Sequence, residues 1–204
     1  MSTLPRFVVD MLPRSLVVDP PMSDAEFEAF CLQNDGVQVE RTSEGAIRMN
    51  PPTGKETTSA KSEINFKLFG WWSKHERDVV IADSSGGFYL PDGSVLSPDA
   101  AYIMPKTLKQ KTNEKRTIFF PVCPDFVIEL LSKSDTLAKT QKKMEHWIAN
   151  GVKLGWLIDP YRKQVSIYGP GGEVGIFSGK ILKGHGPVKG FNLDLARIWR
   201  YYEE

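Results

Sequence analysis

The chain has 204 residues, 41% of them hydrophobic and 25% charged, with 26 basic against 25 acidic side chains and a formal charge of +1. That length can bury a sizeable core without staples, and that composition excludes a disordered chain and a fibrous repeat. The near balance of charge speaks against indiscriminate nucleic-acid binding through one large basic surface, though not against a local basic groove.

From the N-terminus, Asp10, Pro13 and Arg14 interrupt every apolar stretch before a signal-peptide core forms. Ser23 and Glu26 make an S-x-x-E capping box for a short helix, DAEFEAFCLQ, which ends at Asn34-Asp35-Gly36. VQVERT and AIRMN flank Ser43-Glu44-Gly45 and read as a hairpin. A longer helix is expected from about Thr57 to His75, with Ile64, Leu68, Trp71, Trp72, Phe66 and Phe69 giving a wide apolar face. Trp71 and Trp72 are adjacent and cannot both face one core, so one of them marks a subunit contact and a homodimer is expected.

Strand-like pieces follow (VVIAD, GFYL, SVLSPDAAYIM), then a polar, Lys-rich excursion from Pro105 to Arg116. PDFVIELLS is a continuous buried-strand pattern. Ser134 or Asp135 can cap the helix TLAKTQKKMEHWIAN, which ends at Gly151. LGWLIDP and QVSIYG are further strands, and FNLDLARIW is read as a short helix anchored by Trp199. The order describes one α/β domain over residues 1–204, a mixed sheet flanked by helices with an N-terminal helix-and-hairpin elaboration over about 1–50. No run is long enough to span a membrane. Cys31 and Cys123 form no CxxC pair and share no zinc-ligand spacing with His75, His146 and His185. A soluble, cytoplasmic protein is expected.

The informative residues are carboxylates inside apolar runs. Glu129 interrupts Phe126, Val127, Ile128, Leu130 and Leu131, and Asp99 opens the AAYIM strand. A buried glutamate is costly unless it meets a metal or a cation. Two such acids suggest an oxygen-ligand site for Mg2+ or Mn2+. The structural alternative is one acid paired with a core cation and the other capping a turn. Asp125 shares a strand face with Glu129 but lies about 13 Å along it, too far to share one metal, so it reads as a turn or strand-start residue. Lys143 flanks the apolar stripe Met144, Trp147 and Ile148, where it can reach back toward the preceding strand, whereas Lys139 and Lys142 read as solvated charges.

SPDAAYI, PDFVIELLSKSD and KMEHWIANGVKLGWLIDP together resemble the Uma-type endonucleases of the PD-(D/E)xK, restriction-endonuclease-like superfamily, over most of the chain from about Val39 to Tyr168. The resemblance implies a restriction-endonuclease-like sheet and a Mg2+- or Mn2+-dependent endonuclease acting on nucleic acid, DNA first. The alternative is a catalytically silent binding or scaffold protein on the same fold. It implies Glu63 as the helix glutamate, Asp99 as the aspartate of the PD element and Glu129 as the acid of the third motif, these three as metal ligands. The residue two after Glu129 is Leu131 where the superfamily pattern has lysine; in the Uma-type family the lysine sits on the following helix, at Lys143. Lys106, Lys109, Lys111, Lys115 and Arg116 are candidate phosphate contacts.

Overall fold

The computed structural model describes residues 15–34, 36–50, 52–74, 80–109 and 118–203. The expected turn residue Asp35, the residues Asp10, Pro13, Arg14 and His75, and the cations Lys111, Lys115 and Arg116 lie outside them.

The N-terminal part holds β1 (Ser15–Leu16), α1 (Asp24–Gln33), β2 (Gln38–Arg41) and β3 (Ile47–Asn50). The capping box forms as expected, the Ser23 hydroxyl accepting from Glu26 N at 3.4 Å while the Glu26 carboxylate accepts from Ser23 N at 2.8 Å. This sets α1 so that Phe27 is buried with Val39 and Ile47. Arg41, itself buried, ties β2 to this layer. It donates to Asp24 at 2.5 Å and to the carbonyls of Met22 and Gly93, and its guanidinium lies over the rings of Phe27 and Tyr89.

Next come α2 (Lys55–Trp72), β4 (Val80–Asp83), β5 (Phe88–Tyr89), β6 (Val95–Leu96), β7 (Ala100–Ile103) and α3 (Pro105–Lys109). The buried stripe of α2 is Thr57, Ala60, Ile64 and Leu68, one face at helical spacing. Phe66 and Phe69, expected on that face, are exposed instead. Trp71 and Trp72 both pack half-buried against the same core cluster. The reason for expecting one of them at a subunit contact, and with it a homodimer, therefore falls away.

The chain then forms β8 (Phe126–Leu130), α4 (Leu137–Ala149), β9 (Leu154–Asp159), β10 (Gln164–Tyr168), β11 (Val174–Phe177), β12 (Ile181–Lys183), β13 (Asn192–Asp194) and α5 (Leu195–Trp199). The piece read as one C-terminal helix is thus a strand followed by a helix. The cap of α4 is Thr136, whose hydroxyl accepts from Lys139 N; Ser134 and Asp135, expected there, lie just upstream. Asn150 ends α4, and Gly151 follows at φ +109°, the left-handed conformation that stops a helix cheaply only as glycine.

Six strands form the central sheet in the order β11-β10-β9-β8-β7-β4, with β8 and β9 parallel and the other neighbours antiparallel. α4 is the crossover between the parallel pair, packing Met144 and Trp147 on one face. Gly155 of β9 lies directly beneath Met144, where a Cβ would collide with the methionine methyl. Its missing side chain makes room for that methyl against the sheet. α2 and the C-terminal residues cover the other face. A second sheet, β1-β3-β2-β6-β5, abuts the first at the β6–β7 junction, and β12 and β13 pair separately. No helix among the described residues is long and apolar enough to cross a membrane.

Candidate active site

Side chains alternate along β8. Phe126, Ile128 and Leu130 join the core on the α2 side, and Val127 joins Met144 and Trp147 on the α4 side. Glu129 must then face α4. The same alternation in β7, with Ala101 and Ile103 toward α4, carries Asp99 to that face as well. Ala100 pairs with Ile128, so Asp99 sits beside the Glu129 end of β8, and its Oδ2 accepts from Leu130 N at 2.7 Å. Glu40 arrives from β2. All three acids line one cavity of about 100 Å3, and they are 4% (Glu40), 8% (Asp99) and 5% (Glu129) exposed.

Lys143 closes this cluster from α4. Its ammonium lies 2.8 Å from Glu40 Oε1, 2.9 Å from Glu129 Oε1 and 2.7 Å from the Ser97 carbonyl. A lysine has three N–H donors, so all three are spent. Trp147 Nε1 donates to Glu129 Oε1 at 2.9 Å, and Ser97 N donates to Glu40 Oε1 at 3.0 Å. Lys61, from α2, pairs with Asp99 Oδ1 at 2.6 Å. Arg48 and Lys139, both exposed, stand at the mouth with Ser132, Ser134 and Asp135.

The electrostatics follow from burial and from unequal sharing of one cation. Burial drives the Glu129 carboxyl up to about 7; Lys143 opposes this, while the negative charges of Asp99 and Glu40 add to it. Burial pushes Glu40 the same way, but Lys143's charge and the hydrogen bonds from Lys143, Ser97 and Asn50 outweigh it and hold Glu40 below its ordinary value. For Lys143, burial favours the neutral form, and Glu129 and Glu40 more than offset that, so it is held as an ammonium.

Asp99, Glu129 and Lys143, singled out from the sequence, are thus brought to one cavity, while Lys142 is exposed. Glu63 is not brought there. It pairs with Arg197 of α5, with Lys67 at 3.8 Å, and these cations hold its carboxyl below the ordinary range. The reason is helical phase: at about 100° per residue, Glu63 points some 200° away from Lys61, the α2 residue that does reach the acids. Glu40 and Lys61 went unnoticed in the sequence. Lys61 stands one helical turn before Asn65, whose amide donates to the Asp99 carbonyl at 2.9 Å, but nothing local in the sequence marks that face. Glu40 had only its place in a strand where Val alternates with polar residues. Lys106 lies beside Trp71 and Trp72, away from the acids. Asp125 organises a turn: it accepts from Met104 N at 2.7 Å and from the Thr107 hydroxyl at 3.0 Å, and it pairs with Lys153.

Among the described residues, no three His, Cys, Asp or Glu side chains are gathered closely enough to cage a metal. Magnesium asks for less, one or two carboxylates with water completing its shell. Three buried carboxylates against Lys61 and Lys143 leave one negative charge in surplus when all are ionised, and their oxygens are hard donors. Such oxygens are of the kind that a small divalent cation takes.

The chain belongs to the Uma2 family, described as "Putative restriction endonuclease", which it matches over residues 24–196. Its fold is similar to that of a solved structure from Anabaena variabilis described as a "putative nuclease belonging to DUF820". That likeness has a TM-score of 0.66 and 22% identity over 80% of this chain and 90% of the other. No curated protein matches the chain. Family membership supports a nuclease function.

Proposed function

We propose that the protein is a metal-dependent endonuclease that hydrolyses phosphodiester bonds of DNA, with Asp99, Glu129 and Lys143 at its centre and Glu40 in the position expected for Glu63. The observation that carries this is the convergence of three buried carboxylates and a fully engaged lysine on one small cavity, in a chain of the Uma2 family. Asp99 and Glu129 are the residues that would hold Mg2+ or Mn2+. When bound, such an ion polarises the phosphate and lowers the pKa of an attached water.

The chain's own residues supply the rest. Arg48, Lys61 and Lys139 present positive charge at the mouth, where a phosphate would be drawn in. Lys143 is held charged, so it acts by its field and not by taking a proton. It fixes Glu40 and Glu129 in place and opposes the negative charge that builds on the phosphate as water adds and the leaving oxygen departs. Trp147 holds Glu129 Oε1 in one orientation.

The test is cleavage of end-labelled single- and double-stranded DNA by the purified protein in Mn2+, Mg2+ or chelator, alongside Glu129→Gln. Cleavage that needs the metal and disappears in the variant is expected. A folded wild-type protein that cuts neither substrate with either ion would instead be a silent binding protein on this fold.

A further inference from the structure

A second cavity of about 460 Å3 adjoins the first and shares Gln38, Asn50, Thr53 and Lys61 with it. Its chemistry is different. The acid cavity is rimmed by Arg48, Lys61, Lys139 and Lys143. The adjoining groove has Lys61 as its one cation and Asp83 as its one acid among the described residues, and its other polar walls are amides and hydroxyls: Gln38, Asn50 and Asn65 with Thr58, Ser62 and Ser84. A groove of amides and hydroxyls with one acid suits a base or a sugar, which offer N–H and O–H donors, better than a phosphate, and its volume lies in the range of small-molecule sites.

Asn65 carries the argument further. Its Nδ2 donates to the Asp99 carbonyl at 2.9 Å and to the Lys61 carbonyl at 3.0 Å. Both partners accept only, so the amide orientation is fixed and Oδ1 must be the free end. That Oδ1 is buried and accepts from no group among the described residues. A buried acceptor without a donor is uncommon and costly. It belongs to a groove-lining side chain whose own backbone turn carries Lys61 and whose amide braces Asp99.

We infer that the groove is a nucleoside subsite: it holds the unpaired base and sugar next to the phosphate in the acid cavity, with the side-chain amides of Gln38, Asn50 and Asn65 in the wall around the nucleoside. The inference rests on the nuclease reading for the identity of the ligand. It adds that the protein engages a nucleotide whose base is free of its partner, since a base seated in a concave groove of the protein cannot also stay stacked and paired in a duplex.

The experiment uses isotope-labelled full-length protein in chelator, titrated by NMR with deoxyadenosine 5′-monophosphate and, in parallel, with deoxyribose 5-phosphate, which lacks the base. The nucleotide is expected to bind at least tenfold more tightly, and the side-chain amide signals of Asn65 to move with it alone. Ser62 is exposed on α2 and lines only the groove, so Ser62→Trp fills the groove without entering the core. That variant should abolish the tenfold difference and leave sugar-phosphate binding unchanged. Equal affinities, unmoved Asn65 signals or a Trp variant that still prefers the nucleotide would each overturn the subsite. None of these readouts depends on turnover. A protein that shows the preference yet cuts no nucleic acid keeps the subsite and loses the catalytic reading, while one that cuts without the preference loses only the subsite.

Discussion

Strand β8 begins and ends with a buried acid, Asp125 just before its first residue and Glu129 next to its last, and each has a lysine, Lys153 and Lys143. The two ends are built differently. Asp125 receives Met104 N, the Thr107 hydroxyl and Lys153, so one carboxylate has three donors to itself. Glu129 shares Lys143 with Glu40 and faces the charge of Asp99. One end is electrostatically complete and holds a turn. The other carries surplus negative charge when its acids are ionised, which a proton on Glu129 or a further cation relieves. A buried acid by itself therefore marks nothing; it is the over-subscribed cation beside Glu129 that supports the proposed site.

The sharpest way to break this comparison is to neutralise each end in turn. Glu129→Gln and Asp99→Asn should each lower DNA cleavage by about three decades or more while the melting temperature holds or rises, because like-charge repulsion is relieved. Asp125→Asn should leave turnover per folded molecule within about twofold and cost about 1–3 kcal/mol of stability, as its Lys153 contact and its strong acceptors are lost. Turnover and thermal melts on the three variants decide it, and the reverse pattern would move the site to the other end of the strand.

Next in size, Lys143→Met should reduce turnover by about two to four decades, and Lys142→Met should change it little. Equal effects would mean that the ammonium between Glu40 and Glu129 is merely structural.

The pH dependence of stability sharpens the same contrast. In the folded protein Glu129 titrates near 7, against an ordinary 4.5. Between those values the folded state keeps a proton that the unfolded chain has released. The group's stabilising contribution is therefore present below about 4.5 and is lost as pH rises toward 7. In chelator, the melting temperature of Glu129→Gln relative to wild type should rise by several degrees between pH 5 and pH 8. A constant difference across that range would show that Glu129 is not the acid under strain.

The smallest effect belongs to Glu63. Glu63→Gln breaks only its pairing with Arg197 and Lys67, partly exposed cations, so melting should fall slightly and turnover stay within about twofold. A large loss of cleavage would restore the helix glutamate to the mechanism.

These outcomes also show what a linear reading can reach. The apolar run around Glu129 and the position of Lys143 beside Met144 and Trp147 are local patterns, and period-two and period-3.6 spacing sufficed to aim both at one cleft. The capping box at Ser23 and the stop at Gly151 were legible for the same reason, since each is satisfied within four residues. Glu40 was not legible, because what buries it is Ser97 and Lys143, 57 and 103 residues further along. Lys61 was overlooked because a helix offers several faces, and nothing in the residues themselves says that the one two positions before Glu63 meets Asp99. Phe66 and Phe69 misled in the opposite sense, since their apolarity suggested burial but helical phase leaves them on the surface.

Arg41 and Glu40 are neighbours on a strand and so point to opposite sides of it. Arg41 is gripped from behind by Asp24, two carbonyls and two aromatic rings, while Glu40 looks into the acid cavity. The α1 segment, which could pass for an appendage to the central sheet, is thus the backing plate against which one wall of the cavity is tensioned. A shortened version of the protein beginning at α2 would keep every strand of the six-stranded sheet, yet it would give up the third carboxylate and one of the three acceptors that hold Lys143.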